Sequence, residues 1–262
     1  WEKMDPMAVA HIDAFRRDPE KVWTLLLHGM QALLTTARPN DGHLGLARLE
    51  QWGYLRSIIT QNVDGLHQAA GSQHVLELHG NIWRARCTSE QTVVELLENP
   101  LRELPPLCGR CGSLLRPDVV WYGEPLPVEA YELSHQIASR CDAMIVVGTS
   151  AVVHPAASLP LVAKHNGAYV VEVNTAFTPI SALVDATLLG RAGDILPEIA
   201  HRVLELLGGA GGKAGAPSRS APTRDSRSRD GCASDARRAT RSRAPLSRRH
   251  RHGERPPTGR GG

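Results

Sequence analysis

The residues best suited to do chemistry lie in two short stretches within the first third of the chain. The first stretch is Gln61-Asn62-Val63-Asp64, and the second is His79 followed by Gly80. An imidazole titrates near neutral pH and suits a general base, and amide and carboxylate side chains can position a polar substrate. A histidine before a glycine is also typical of an ordinary turn, so His79 alone does not identify a catalytic site.

Three apolar strands are predicted to position these residues. Stretches 57–60, 143–147 and 169–173 alternate with helical patterns, which is typical of an α/β fold with a Rossmann-like parallel sheet and helices on both faces. Ligands of such sheets bind at the carboxyl ends of the strands. Polar residues follow all three strands, and this placement suits a dinucleotide: residues 61–64, Gly148-Thr149-Ser150 and Asn174.

The other elements follow from apolar periodicity and from residues that start or end helices. Asp18 and Pro19 are typical of a helix start, and Gly53 ends a second helix. The predicted helices span residues 19–36, 43–52, 127–139, 156–165 and 196–207, and the remaining strands span residues 75–78, 82–86 and 119–122.

Composition divides the chain at residue 207. In residues 208–262, Lys and Arg outnumber Asp and Glu by 14 to 4, whereas residues 1–207 carry 16 basic and 23 acidic side chains. The tail is rich in Gly, Ser, Pro and Arg, cannot bury enough apolar surface to fold, and is predicted to be disordered. It is either an arm for nucleic acid or an acidic partner, or an extension without a role.

Several classes of protein are disfavoured by the composition. No apolar run is long enough to span a membrane, and the first residues do not form a signal peptide. The number of cysteines, 5, is odd and does not suggest a disulfide framework, so we expect a cytoplasmic setting. The acidic balance of the predicted folded part argues against nucleic-acid binding, and we expect a monomer.

Two motifs identify a family. Thr-Gln-Asn-Val-Asp-Gly-Leu-His at 60–67 and Glu-Leu-His-Gly-Asn at 77–81 resemble, in residue type and spacing, the signature of the sirtuins, NAD-consuming protein-lysine deacylases. The resemblance is best to bacterial members. It continues through residues 116–124, 147–150, 155–156 and 173–174, and covers roughly residues 1–206.

The resemblance implies roles for the catalytic residues. Asn62 orders the ribose and a nearby water, Asp64 holds the nicotinamide carboxamide, and His79 is the general base. The expected reaction converts an acetyl-lysine protein and NAD into the free lysine, nicotinamide and O-acetyl-ADP-ribose. The residues implied to bind the cofactor are Gln61, Asn62, Asp64, Gly148, Thr149, Ser150, Asn174 and Ala192, the last within a loop at 190–194.

The sequence departs from the family at its start. The Gly-Ala-Gly-x-Ser loop that cradles the NAD phosphates, and the strand before it, have no counterpart, because Trp1 aligns downstream of both. We therefore expect an N-terminally truncated sirtuin with a gap in its parallel sheet and impaired NAD binding.

A segment after the insert resembles the family's substrate strand. An extended acyl-lysine peptide would pair with it by β-augmentation, and two of its side chains would line the acyl-lysine tunnel. The segment comprises Val119, Val120, Trp121, Tyr122 and Gly123, of which Val120 and Trp121 are the tunnel residues. A plain core strand is the alternative. Leu26 and Gly29 align with a Tyr-x-x-Arg pair of members that prefer negatively charged acyl groups, so a neutral acyl group is expected.

The insert at about residues 83–118 resembles the family's zinc ribbon, with one change. Cys108-Gly109-Arg110-Cys111 matches one Cys-x-x-Cys pair, but the first pair retains only Cys87, with Glu90 in place of its second thiol. Zinc accepts carboxylate oxygen, so a site of three sulfurs and one oxygen and a weak or empty site both remain open.

Four functions stay open on the sequence. The first is an NAD-dependent deacetylase, and the second is mono-ADP-ribosyl transfer to a protein. The third is a catalytically impaired, truncated chain that binds acyl-lysine peptides. The fourth is a zinc-ribbon nucleic-acid binder, which the acidic balance of residues 1–207 disfavours.

Overall fold

The computed structural model describes residues 10–27, 35–96 and 103–208. Nearly all of the predicted disordered tail lies outside these residues, as does part of the helix predicted over 19–36. No helix in the described ranges is long and apolar enough to cross a bilayer.

The described helices and strands alternate along most of the chain. The helices are α1 Ile12–Arg17, α2 Pro19–Leu26, α3 Asp41–Gln51, α4 Leu66–Ala69, α5 Val128–Ala138, α6 Leu159–His165 and α7 Ala192–Gly208, with a 3₁₀ turn at Ala156–Ser158. The strands are β1 Ile58–Thr60, β2 Val75–Glu77, β3 Gly80–Cys87, β4 Val93–Glu95, β5 Leu115–Val119, β6 Ala143–Val147, β7 Tyr169–Asn174 and β8 Ala186–Leu189.

Side-chain caps fix the starts of α2 and α3. The carboxylate of Asp18 accepts a hydrogen bond from the backbone N–H of Lys21 at 3.0 Å, as expected for the predicted N-cap. Asn40 caps α3 by accepting the N–H of His43 at 3.2 Å. The helix therefore begins at Asp41, two residues before the predicted start.

The parallel strands fall into two groups within the described residues. β1 pairs with β2, in a register that places Thr60 opposite Glu77. β6, β7 and β8 form the second group in that order.

Helices cover both faces of these strands, as predicted. Ile59 and Val146 pack on one face with residues of α5 and α6, including Ala138 and Leu159. Ile58, Ile145 and Val147 point to the opposite face and pack with α3 and α7. Because side chains alternate along a strand, neighbouring residues of β1 and β6 serve the two layers in turn.

The antiparallel strands build a separate core together with the first two helices. The strand order is β4-β3-β5. Phe15, Trp23, Cys87 and Trp121 are all buried in one apolar cluster. The indole N–H of Trp23 donates to the carbonyl of Leu115 at 2.9 Å, which fastens α2 to β5. The cysteine-containing insert therefore shares its core with α1 and α2.

The strand predicted over residues 119–122 is wrong in its bounds. β5 ends at Val119 because the following N–H groups find partners outside the ladder. Val120 N–H donates to the carbonyl of His79 at 2.9 Å, and Tyr122 N–H donates to the carbonyl of Ala10 at 2.8 Å. The carboxylate of Glu124 accepts a hydrogen bond from the Trp121 N–H.

The last helix is longer than predicted. α7 begins at Ala192, whereas the sequence placed its start at Leu196 and assigned residues 190–194 to a loop. Asp194 lies in the first turn, where a carboxylate complements the free N–H groups of a helix start. The short strand β8 was missed altogether.

Candidate active site

His79 lies in the turn between β2 and β3 and is half-buried. Its Nδ1 is 3.0 Å from the backbone carbonyl oxygen of Gln61. Because a carbonyl can only accept, Nδ1 carries the hydrogen, and the lone pair of the neutral ring is on Nε2. Burial lowers the pKa of His79, an effect that the hydrogen bond to Gln61 partly opposes. A neutral imidazole with Nε2 free to accept a proton is the form a general base requires.

Gly80 permits the close approach of two segments beside the histidine. Its φ angle is +79°, and a Cβ at this position would lie 2.0 Å from the carbonyl oxygen of Asp118. Any side chain would force the two backbones apart. The glycine therefore reflects both a left-handed conformation and the tight pairing of β3 with β5.

The loop after β1 is held by its own side chains and by β3. The hydroxyl of Thr60 accepts the N–H of Asn62 at 3.0 Å, and the Asn62 side chain is exposed. Asp64 accepts the N–H of Leu66 at 2.9 Å through its carboxylate, and its carbonyl accepts the indole N–H of Trp83 at 2.8 Å. One carboxylate oxygen of Asp64 is thus engaged by the first residue of α4.

The polar residues at the strand ends come together as the sequence predicted. The Gln61 amide donates to the hydroxyl of Thr149 at 3.4 Å, and the Asn174 amide donates to the carbonyl of Thr149 at 2.8 Å. Gly148 has a φ of +59°, with no atom within 4 Å of the Cβ position, and Ser150 is exposed. The backbone at this turn is open to a close approach by a ligand.

Ala192 lies beside this group at the start of α7. Its carbonyl oxygen is 2.9 Å from the position a Cβ would take on Gly42, so it packs against α3. The N–H of Gly190 donates to the carbonyl of Asn174 at 2.8 Å, which ties the chain before α7 to the end of β7.

The predicted substrate segment is only partly accessible. Tyr122 and Gly123 are exposed, whereas the Trp121 side chain is 3% exposed and stacks with Phe15 at 6.4 Å between ring centroids. The Trp121 indole N–H is buried and has no hydrogen-bond partner among the described residues.

Sequence reasoning missed the ion pair that holds the substrate segment. The carboxylate of Glu124 accepts a hydrogen bond from Arg116 at 2.7 Å and another from the backbone N–H of Trp121 at 3.0 Å. Burial alone would raise the pKa of Glu124, but these hydrogen bonds outweigh it and lower the pKa. Both residues lie within the motif at 116–124, and their opposite charges were the available signal.

A second missed feature is a pair of histidine rings. The rings of His43 and His67 pack against each other in a tilted arrangement, with their centroids 4.8 Å apart and their planes at 50°. Burial lowers the pKa of each, and repulsion between them lowers that of His67 further.

The cysteines of the insert form a cluster. The thiol sulfurs of Cys87, Cys108 and Cys111 lie within 4.8 Å of one another, which suits a single bound metal ion. The N–H of Glu90 points at the Cys87 sulfur at 3.4 Å, but its carboxylate pairs with Arg110 at 3.2 Å. Hydrogen bonds from Ser113 lower the pKa of Cys111 to about 7. Three ligands are thus in place, and Glu90 is held beside them by an arginine.

Comparison with known proteins agrees with this geometry. The sequence profile of the Sir2 family matches residues 1–155. The chain is 50% identical over 203 residues to NAD-dependent protein deacylase 2 of Pyrobaculum aerophilum, with 78% of this chain and 81% of the relative covered. It is 46% identical over 212 residues to the NAD-dependent protein deacylase of Pyrococcus abyssi, covering 79% and 84%. The chain belongs to the Sir2 family.

Solved structures are similar over the same part of the chain. A Sir2 homolog in complex with NAD has a TM-score of 0.75 and 43% identity, covering 79% of this chain and 80% of that one. A Sir2 protein bound to an acetylated peptide has a TM-score of 0.68 and 37% identity, covering 76% and 83%. The Rossmann-like α/β fold predicted from the sequence is confirmed.

Proposed function

We propose that the protein is an NAD-dependent protein-lysine deacetylase whose active site is built by residues 1–207. The observation that carries the proposal is the hydrogen bond from His79 Nδ1 to the Gln61 carbonyl, which leaves Nε2 as the free basic atom. The same peptide unit begins the loop that presents Asn62 and Asp64. The base and the positioning groups are therefore fixed relative to one another by a single contact.

NAD is the cofactor that this site suits. Gln61, Thr149 and Asn174 are joined by hydrogen bonds, and the open backbone at Gly148 gives a phosphate or ribose room to approach. When bound, NAD supplies an electrophilic ribose carbon as nicotinamide leaves. Asn62 would orient the ribose, Asp64 would hold the nicotinamide carboxamide, and His79 with its free Nε2 would serve as the base for a ribose hydroxyl.

The substrate we propose is an acetyl-lysine peptide bound along residues 119–123. The solved Sir2 complex with an acetylated peptide supports this class. Leu26 is buried in the apolar core and offers no charge to a carboxylate, whereas Gly29 lies outside the described residues. A neutral acyl group is consistent with the uncharged side chain of Leu26. We also propose a cytoplasmic location.

We also propose that the three thiols hold zinc in a structural site. Cys87, Cys108 and Cys111 fit this role because their sulfurs converge and hydrogen-bond donors surround them. Glu90 becomes the fourth ligand when its ion pair with Arg110 opens, and water fills the position otherwise.

A nicotinamide-release assay with an acetyl-lysine peptide tests the main proposal. We expect turnover by the wild type and a loss of about 10²- to 10⁴-fold in His79→Ala, because the general base is removed. The matched control is His74→Ala, an exposed histidine that pairs with Glu50 at the opposite end of β2 and should leave the rate unchanged. Peptide binding without any NAD turnover would contradict the proposal, and so would transfer of ADP-ribose to protein with no lysine released.

A further inference from the structure

A buried carboxylate stands two residues before the catalytic histidine. The Glu77 side chain at the end of β2 is only 10% exposed. One of its oxygens accepts the side-chain amides of Gln68 at 2.8 Å and Asn81 at 2.7 Å. The other accepts Arg84 Nη2 at 2.8 Å. Glu77 thus connects α4 with two residues of strand β3, Asn81 and Arg84.

A second buried carboxylate stands one residue before the substrate segment. The Asp118 side chain is 8% exposed and lies near the end of β5. Its Oδ2 accepts Arg84 Nε at 3.1 Å, and its Oδ1 accepts Arg86 Nε at 2.9 Å. One guanidinium, that of Arg84, therefore bonds both carboxylates, whereas Arg86 bonds only Asp118 of the two.

The two carboxylates flank the closest contact between the catalytic and substrate segments. Val120 N–H donates to the carbonyl of His79 at 2.9 Å, and Gly80 pairs with Val119. These backbone contacts pair the two segments tightly at Gly80. Arg84 adds a second connection between the residues on either side, since its planar guanidinium fork bonds both carboxylates at once.

We propose that Arg84 is a positioning residue that sets the distance between His79 and the acyl-lysine peptide bound along residues 119–123. The proposal rests on the proposed function for the identity of the peptide. Arg84 is 29% exposed and does not itself reach the reacting atoms in this role. It acts through Glu77, which ends β2 two residues before His79, and through Asp118, which lies in β5 just before the substrate segment.

The test compares substitutions at two arginines of the same strand face. Arg84→Met removes the bridge, and Arg86→Met is the matched control, because it removes an equal charge that contacts Asp118 without reaching Glu77. For Arg84→Met we expect the KM for the peptide to rise about tenfold and kcat to fall about threefold, with the KM for NAD changing less than about twofold. Arg86→Met should keep all three constants within about twofold.

The split between the two KM values separates positioning from simple destabilisation. A loss of folded protein lowers the apparent kcat and leaves both KM values unchanged. Arg84→Lys should recover only part of the peptide KM, because one ammonium on a flexible stem cannot bond both carboxylates in fork geometry. If Arg84→Met fails to fold, the peptide KM of Arg84→Lys is compared with that of Arg86→Lys instead. A higher KM for Arg84→Lys supports the positioning role, and equal values overturn it.

The outcomes also separate this proposal from the proposed function. Equal peptide KM values for Arg84→Met and Arg86→Met, with an active wild type, would overturn the positioning role and leave the deacetylase intact. If the wild type shows no turnover, the deacetylase proposal fails, and binding of a fluorescent acetyl-lysine peptide decides the bridge. Weaker binding by Arg84→Met than by Arg86→Met then supports the bridge, and equal or absent binding overturns it.

Discussion

The catalytic segment, residues 60–81, and the cysteine segment, residues 87–96 and 103–113, are built in different ways. In the catalytic segment His79 and Asp64 each bond a residue elsewhere in the segment or on β3, so their positions follow from the backbone. In the cysteine segment three thiols converge, but Glu90 is held by Arg110, whose side chain is 72% exposed. The first segment is fixed by contacts within the fold, whereas the second brings together three thiols that could hold a metal ion.

Strand β3 connects the catalytic segment to the cysteine segment. It begins at Gly80, beside the catalytic histidine, and ends at Cys87, the first thiol. A disturbance at one end can reach the other only through this strand and its partners. We therefore expect changes at the Gly80 end to affect folding and chemistry together, and changes at the Cys87 end to affect mainly stability.

The largest expected effect comes from Gly80→Ala. The added Cβ would lie 2.0 Å from the Asp118 carbonyl oxygen, at a φ of +79° that side chains rarely adopt. We expect a loss of about 3–5 kcal/mol in the free energy of unfolding, measured by denaturant titration, and loss of turnover.

The matched control is Gly109→Ala in the cysteine segment. No atom lies within 4 Å of a Cβ at Gly109, and its φ is not positive, so the change should stay within about 0.5 kcal/mol. Equal destabilisation by the two substitutions would show that the pairing of β3 with β5 at Gly80 is not tight in solution.

Local signals in the sequence were sufficient for the start of α2 and for the buried strand β6. Asp18 caps α2 as predicted, and β6 spans the predicted residues 143–147. The predicted strand bounds failed at residues 120–122, where tertiary contacts override the local apolar pattern. Residues 120–122 are as apolar as a strand, yet their N–H groups bond His79, Glu124 and Ala10, which no local pattern reveals.

The site shows the same division between local and distant information. The resemblance of residues 60–67 and 77–81 to the sirtuin signature was enough to propose His79 as the base. The sequence could not predict which ring nitrogen of His79 carries the hydrogen, because that depends on the carbonyl of Gln61, 18 residues away along the chain. Arg84 was missed for a similar reason, since its two carboxylate partners lie on different strands and a charged residue on a strand is usually just a solvated one.

An intermediate effect is expected from Glu90→Cys. A fourth thiolate completes the tetrahedral set that structural zinc prefers, so we expect zinc affinity to rise by at least about tenfold, measured by competition with a chromophoric chelator. Glu90→Ala is the control and retains the three thiols. If the carboxylate ligates, Glu90→Ala binds zinc more weakly than the wild type; equal affinity would show that Glu90 stays with Arg110.

The smallest expected effect is on pH dependence, and it tests whether the two segments act independently. Catalysis requires neutral His79, so the rate falls as pH drops through the pKa of this residue in the folded protein. Burial lowers that pKa from the ordinary 6.5, so the acid limb of kcat/KM should have its midpoint below 6.5.

NMR titration of the His79 ring, assigned by its loss in His79→Ala, should give the same midpoint. Because the hydrogen bond of His79 to Gln61 lies within the catalytic segment, zinc removal by a chelator should leave the midpoint in place. A midpoint above 6.5 would argue against the buried, neutral imidazole, and one that moves on chelation would show that β3 couples the cysteines to the base.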